Sequence, residues 1–321
     1  MRNLGLFLLI LLYCASVTHA ADFILGSQYQ ELTQGLPRQK IANQWVVKKT
    51  IRQFGVLGLE GKIEHGRTFD PDHSETKLQM NELFWQKSHE NFLFSVGRKK
   101  VRWGVGYVES PTDIISPYDP QDMLYNIRGT NMVQFSNTIA ENKQLDLYFL
   151  PKEDTAVAFR YYTYILPYDM ALIGAIEEGG QRKFGGNMTR IFGEALELHA
   201  DYLFELHDPD DSTNKLLVGG QWSPVSSINI VMEYINYSKA FNDYLFVRGL
   251  KKELFSDFQL EWIGLFALSD SGLRHRFAIT YSPTPTIELY VQVYRTAGPA
   301  LSEFRAFPEQ GKNWFGAKWY F

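Results

Sequence analysis

The chain has 321 residues, a formal net charge of −4 and an aromatic content of 15%, with 18 Tyr, 23 Phe and 7 Trp. This mild acidity excludes a strongly basic nucleic-acid-binding protein, so we expect no nucleic acid as a partner. Beyond the first twenty residues there is no apolar stretch of about eighteen residues, which excludes a transmembrane helix and leaves two classes: a soluble secreted all-β domain or a transmembrane β-barrel.

The N-terminus is predicted to be an export signal. Arg2 supplies positive charge, residues 4–13 form an apolar stretch too short to span a bilayer, and Thr18-His19-Ala20 has the small-residue pattern of a peptidase site before Ala21. We therefore expect residues 1–20 to be cleaved.

The exported part, residues 21–321, is predicted to form a single domain. Cleavage would remove the only cysteine, Cys14, and with it any disulfide or cysteine-based metal site. A lipoprotein with its lipid on Cys14 is the less favoured alternative, because the bulky Tyr13 precedes that cysteine. No metal or other cofactor is expected.

Segments of about ten residues in which apolar and polar side chains alternate predict strands long enough to cross a membrane. In the clearest one, Ile287, Leu289 and Val291 alternate with Glu288 and Tyr290. The approximate strands in chain order are 22–32, 41–51, 54–65, 76–86, 91–98, 127–136, 141–150, 155–164, 168–177, 182–191, 194–206, 215–222, 227–237, 244–252, 257–268, 273–282, 286–295 and 312–321. The fold class is thus all-β, an up-and-down antiparallel transmembrane barrel of about eighteen strands.

Sixteen strands remain the alternative count. No clear turn signal divides residues 41–65 into two strands, and residues 151–154 would form a very short outer loop. The polar side chains expected to face the lumen are Glu60, Lys62, Glu197, His199, Asp201, Glu233 and Glu288.

The connections are predicted to alternate between short and long. Residues 222–226 and 281–285 contain prolines typical of tight turns. The long polar connections would be 66–75, 98–126, 207–214 and 296–311. If the last strand ends in the periplasm, the four long connections fall on the outer side, as outer-membrane barrels require.

The C-terminal strand carries the most specific pattern. The chain ends on Phe321, with Phe315 and Trp319 at alternate positions before it. This resembles the terminal-strand signal by which outer-membrane barrels are recognised by their assembly machinery. The resemblance implies a Gram-negative outer membrane, with its lipid and the barrel assembly machinery as partners.

Residues 97–129 form the longest connection, and they hold many prolines and glycines. A basic Trp-Gly segment (98–106) leads into Pro-containing Asp turns, an order similar to that in porin-like outer-membrane proteins of poorly assigned function. The segment places cations before carboxylates: Arg98, Lys99, Lys100, Arg102, then Asp113, Asp119 and Asp122. Folded into the lumen, it would narrow the pore and set a transverse field between opposite charges. Packed over the mouth, it would be structural, with the aspartates only forming turns.

Other groupings are weaker. Residues 207–211 could hold Ca²⁺ through oxygen ligands, but their spacing is irregular and a solvated loop is favoured. Glu197, His199 and Asp201 share a polar face, which lumen lining explains without catalysis. No hydrolase elbow, zinc-binding helix motif or phosphate loop occurs, so we do not expect an enzyme.

The sequence therefore favours a passive channel for small polar or charged solutes, narrowed by residues 98–126. A plugged structural or binding barrel is the alternative, and an outer-membrane hydrolase is the weaker one. Whether the chain forms a homo-oligomer is left open.

Overall fold

The structure is a computed structural model that describes residues 24–32, 38–51, 55–69, 72–116, 127–151, 156–208, 211–238, 242–306 and 311–320. The predicted export signal lies outside these ranges. The strands are β1 (Ile24–Leu32), β2 (Arg38–Ile51), β3 (Gly55–Phe69), β4 (Asp72–His89), β5 (Phe92–Lys99), β6 (Thr130–Ala140), β7 (Lys143–Leu150), β8 (Ala156–Ile165), β9 (Tyr168–Glu177), β10 (Arg182–Phe192), β11 (Leu196–Asp208), β12 (Asp211–Val225), β13 (Ile228–Tyr237), β14 (Asn242–Leu254), β15 (Phe258–Ala267), β16 (Gly272–Thr284), β17 (Ile287–Ala297) and β18 (Gly311–Tyr320). One short helix, α1 (Glu303–Ala306), precedes β18. Within the described ranges, no helix is long and apolar enough to span a membrane.

The eighteen strands form one closed antiparallel sheet. Each strand pairs with its neighbours in sequence, and β1 pairs with β18 from Ile24 opposite Tyr320 to Leu32 opposite Lys312. Closure removes the free edges, so every strand has a partner on both sides. The predicted fold class is confirmed, with the larger of the two predicted strand counts.

The two ends of the barrel differ in the length of their connections. At the end where β1 begins and β18 finishes, the described turns have two or three residues, such as 90–91, 166–167 and 193–195. The opposite end carries the long connections 100–129 and 298–310. Outer-membrane barrels have short periplasmic turns and long outer loops, so we call these the inner and outer ends.

The distribution of side chains is inverted relative to a soluble protein. Large apolar side chains alternate along the strands and are exposed, among them Leu83, Phe94, Phe135, Leu147, Phe149, Val157, Leu172, Leu198, Val218, Met232 and Leu289. Buried polar side chains alternate with them on the inward face, among them Ser95, Gln134, Asp146, Asn187, His199, Asp201, Thr213, Glu233, Arg274 and Arg276. An exposed belt of this extent is what contact with lipid requires.

The structure corrects several predicted connections. Strands β3, β4, β11 and β12 continue through most of 66–75 and 207–214, leaving only 70–71 and 209–210 between them. The proline turns also move: β12 runs to Val225 and β16 to Thr284, with a shift in strand register beside each proline. Proline has no N–H to donate, and a bulge tolerates that loss inside a strand.

Candidate functional site

The longest connection turns back into the barrel. Residues 100–116 of this connection are called here the inward segment. At its start Lys100 Nζ lies 2.5 Å from Glu60 Oε1 on β3. Just before it, Lys99 Nζ donates to Gln86 Oε1 at 2.9 Å and Arg98 Nε donates to the carbonyl of Met80 at 2.9 Å. These three predicted pore cations thus bind the wall at β3 and β4.

The inward segment crosses the lumen to the far wall. The backbone N–H of Tyr107 donates to Glu233 Oε1 at 2.6 Å, and that of Val108 donates to Glu233 Oε2 at 3.3 Å. The Tyr107 hydroxyl donates to Gln221 Oε1 on β12. Since β5 and β13 are eight strands apart in the closed sheet, a chain that leaves one and binds the other must traverse the interior.

Glu233 is held in place by a buried histidine. His199 Nε2 lies 2.9 Å from Glu233 Oε1, both side chains are fully buried, and His199 Nδ1 lies 3.6 Å from Glu197. Gly219, on the strand between them, leaves room for this contact, because a Cβ there would lie 2.6 Å from Glu233 Cγ and 2.8 Å from His199 Nε2. A buried carboxylate that accepts two backbone N–H groups and one imidazole is an anchor for the segment.

A second anchor lies on β10 and β11. Asp201 Oδ2 accepts the hydroxyls of Ser110 and Thr112, the latter at 2.8 Å. Asn187 Nδ2 donates to the carbonyl of Trp103 at 2.9 Å and to Thr112 Oγ1 at 3.0 Å. Because Asn187 and Asp201 are 8% and 1% exposed, these bonds are shielded from water.

Apolar contacts complete the docking of the segment. Trp103 and Ile115, 2% and 1% exposed, pack against Tyr148, whose ring centroid lies 5.1 Å from that of Trp103. The inward positions of β8 and β9 carry small side chains there, such as Ala158 and Ala171. These small residues make the space that the indole and isoleucine fill.

Asp113 organises the segment itself. Its Oδ1 accepts the backbone N–H groups of Trp103 at 2.6 Å and Gly104 at 2.8 Å, and Arg102 Nε lies 3.7 Å from Oδ2. Burial raises the pKa of this carboxyl, while the two backbone donors and Arg102 oppose that rise. Asp113 is 5% exposed, so it shapes the segment through its hydrogen bonds, and the side chain of Arg102, 41% exposed, presents the accessible charge.

Glu109 allows a test of the docking by pH. Burial raises the pKa of its carboxyl above the ordinary value of 4.5. The protonated form is therefore favoured in the folded protein, and the stability from this group is lost as the pH rises through the raised pKa. We expect Glu109→Gln to have a higher melting temperature than the wild type at about pH 8, with the difference vanishing near pH 4. Glu178→Gln, in an exposed outer turn, is the matched control, and an equal rise in both variants would contradict the assignment.

The wall away from the inward segment carries arginines that sequence reasoning missed. Arg248 Nε donates to Glu261 Oε1 at 2.7 Å, and Arg276 binds the other oxygen of Glu261. Two positions before Arg276 on β16, Arg274 donates to the hydroxyl of Tyr294. Only the alternation of Arg274 and Arg276 along one strand could have marked this wall in the sequence.

The last outer connection also enters the mouth. Phe304 of α1 is 3% exposed and packs on Tyr244 of β14, and Glu303 Oε2 accepts the Tyr244 hydroxyl at 2.6 Å. Val108 of the inward segment belongs to the same apolar cluster. The two long outer connections thus meet inside the outer half of the barrel.

The remaining predicted site residues are placed as follows. Lys62 follows Glu60 by two positions on β3 and Glu288 lies on β17 two positions before the buried Tyr290. Asp119 and Asp122 lie outside the described residues, as does Phe321. Phe315 is 47% exposed on the lipid-facing side of β18, and Trp319 lies on the same strand, opposite Leu25.

The described residues contain no metal site of the usual acidic or histidine type. No group of three or more His, Cys, Asp or Glu side chains among them could hold an ion. Part of the Ca²⁺ candidate at 207–211 lies outside the described ranges. His207, at the end of β11, contacts Gln181 through its Nδ1.

Comparisons with known proteins agree on the architecture. No family model matches the sequence and no curated protein matches it. Solved structures do match. The outer-membrane porin OccAB3 of Acinetobacter baumannii has a TM-score of 0.60 at 9% identity, over 94% of this chain and 98% of that one. OprD of Pseudomonas aeruginosa has a TM-score of 0.57 at 10% identity, over 94% of each chain. The Escherichia coli outer-membrane protein Wzi has a TM-score of 0.65 at 9% identity, over 93% of this chain and 84% of that one. Likeness at these identities establishes the fold alone, and the chain has the closed β-barrel fold of these outer-membrane proteins.

Proposed function

We propose that the chain is a channel of the Gram-negative outer membrane through which small polar or charged solutes pass. The observation that carries the proposal is the inward segment, which binds β3 at Glu60 and β13 at Glu233 and so spans the interior. A barrel of this strand number encloses more space than its own side chains fill. A segment fixed across that space narrows the lumen, and a narrowed lumen is what a selective channel needs.

The charges expected to select solutes lie on both sides of the remaining opening. On one side these are the predicted cations, Arg98 and Lys99 at the end of β5 and Lys100 and Arg102 on the inward segment, with Asp113 as the structural carboxylate. On the opposite wall they are Arg248, Arg274 and Arg276, with Glu261 and Glu288. Fixed charges at a constriction act on a passing ion at close range, where water screens them least.

We propose roles in export and assembly for the two ends of the chain. Residues 1–20 would direct secretion, and the terminal strand with Phe315, Trp319 and Phe321 would be the element that the barrel assembly machinery recognises. Both roles agree with the proposed location in the outer membrane, and neither depends on whether the lumen conducts.

A plugged binding barrel is the second candidate. Two observations favour it: Trp103, Val108 and Phe304 are buried where both outer connections pack inside the barrel, and one matching structure, Wzi, is described as a carbohydrate-binding β-barrel. A polar lumen filled by its own loops can bind a ligand without conducting.

Conductance in a planar lipid bilayer separates the two candidates. We expect the refolded protein to give discrete current steps, because the proposed opening beside the inward segment would be filled with water and ions. Folding is checked by the usual difference in gel migration between heated and unheated samples. Folded protein that gives no steps would overturn the channel and leave the binding barrel.

A further inference from the structure

The outer surface of the barrel carries one feature that neither a pore nor a uniform lipid belt requires. On the lipid-facing side of β10, Arg190 lies one rung from the inner end, opposite Tyr168 of β9 and Leu198 of β11. We propose that Arg190 and the groove beside it bind one glycerophospholipid of the inner leaflet, with the phosphate on Arg190 and an acyl chain in the groove.

The guanidinium of Arg190 is held by aromatic rings. Its central carbon lies 4.2 Å from the Phe192 ring centroid and 4.9 Å from that of Tyr168, and Nη1 donates to the Tyr168 hydroxyl at 2.6 Å. Cation–π contacts on two rings fix its orientation. Within the described part of the chain, no carboxylate lies in ion-pairing range of Arg190 and its buried Nε has no hydrogen-bond partner. The Nη donors that are not bonded to Tyr168 are thus left for an external anion.

The position of Arg190 suits a headgroup. Tyr168 is the first residue after the inner turn 166–167, and Phe192 is the last before the inner turn 193–195. A cation on the lipid-facing side is strongly destabilising at the membrane midplane but costs little near an interface. An arginine there meets phosphate oxygens, with which it forms charge-assisted hydrogen bonds.

A groove begins at the next rung toward the membrane centre. Two small residues on the outward face, Gly186 and Ala200, form its floor. Its volume is about 380 Å³, and its walls are the larger side chains Tyr161, Met170, Leu172, Met188, Tyr202 and Leu216. The register places Met170, Met188 and Ala200 on the rung beside Arg190, and Leu172, Gly186 and Tyr202 on the one beyond.

The headgroup site and the groove therefore follow each other from the inner end toward the membrane centre, as the phosphate and the acyl chains of a phospholipid do. A phosphate at Arg190 leaves the acyl chains pointing toward the midplane, across Met188 and over Gly186. Because the groove is apolar and Arg190 is the nearby cation, the surface complements a molecule with an anionic head and an apolar tail.

Native mass spectrometry in mild detergent with added phosphatidylglycerol tests the proposal. We expect the wild type to retain one phosphatidylglycerol, and Arg190→Gln to lower the bound fraction about tenfold, as the loss of one charge-assisted pair implies. Arg190→Lys should retain much of the binding. Arg182→Gln is the matched control, since Arg182 lies on the same strand and face at the outer end. Equal retention by the wild type and Arg190→Gln would overturn the headgroup site.

The groove is tested separately. Ala200→Phe places a ring in the groove and should lower retention, whereas Val157→Phe adds the same ring on the outward face of β8, away from it. Excess inorganic phosphate should not displace the lipid. Equal retention by both phenylalanine variants, displacement by phosphate, or a dimer that Ala200→Phe converts to monomer would each contradict the proposal.

Discussion

Deleting residues 109–122 should raise the single-channel conductance severalfold. The deletion removes Ser110, Thr112 and Asp113, and with them both hydroxyls bound to Asp201 and the acceptor that closes the segment on Trp103 and Gly104. The remaining chain keeps the contacts of Lys100 with Glu60 and of Tyr107 and Val108 with Glu233. It loses the residues that occupy the lumen beside β10 and β11, so the cross-section open to ions grows. Current steps in planar bilayers measure the change directly.

The matched control removes Gly179 and Gly180 from another outer turn. A Cβ at either position would meet nothing within 4 Å, so the turn contacts little of the barrel and its shortening should leave the conductance unchanged. If the 109–122 deletion folds and conducts like the wild type, the inward segment is not the constriction.

Strand positions were predictable because they depend on local alternation. The predicted strand 168–177 coincides with β9, and 182–191 differs from β10 by one residue. The predicted strands stopped early at 65 and 206, because the polar residues that follow are typical of loops. In the structure β3 and β11 extend to Phe69 and Asp208, since a strand that has left the hydrocarbon region can carry polar side chains on both faces.

The arrangement of the site was predictable only in part. The sequence marked Glu233, His199 and Asp201 as lumen-facing polar residues and the segment at 98–126 as a candidate constriction. It could not show that Tyr107 binds Glu233, because those residues are 126 positions apart and no local pattern encodes their pairing. The role of the small inward residues Ala158 and Ala171 could not be predicted either, because they contribute by leaving space for Trp103 and Ile115.

Asp113 shows how charge alone can mislead. Its place after a basic run predicted a field across the pore, and its place after a proline equally predicted a turn. The backbone donors at Trp103 and Gly104 favour the turn-forming role. A buried carboxylate that accepts backbone N–H groups stabilises the fold of the segment and exerts little field on a passing ion.

Substituting Glu233 by leucine should have the largest effect on stability. The change leaves the N–H groups of Tyr107 and Val108 without their acceptor and the buried His199 without its closest carboxylate. Removing one partner from a buried ionic pair costs about 3–5 kcal/mol. The loss in unfolding free energy cannot exceed the free energy with which the segment docks, because beyond that point the segment leaves the wall. Urea unfolding in lipid vesicles, followed by tryptophan fluorescence, gives the loss in unfolding free energy, and the released segment should add current noise to the open channel.

The interpretation depends on coupling between Glu233 and His199, which a double-variant cycle measures. His199→Leu combined with Glu233→Leu should cost less than the sum of the single changes, because an apolar pair of similar size leaves no buried charge uncompensated. Glu233→Gln keeps one acceptor oxygen and should fall between the wild type and Glu233→Leu. Glu197→Leu, at the more exposed carboxylate beside His199, is the matched control and should cost less. Additive losses in the cycle, or an equal loss at Glu197, would show that Glu233 does not anchor the segment through this pair.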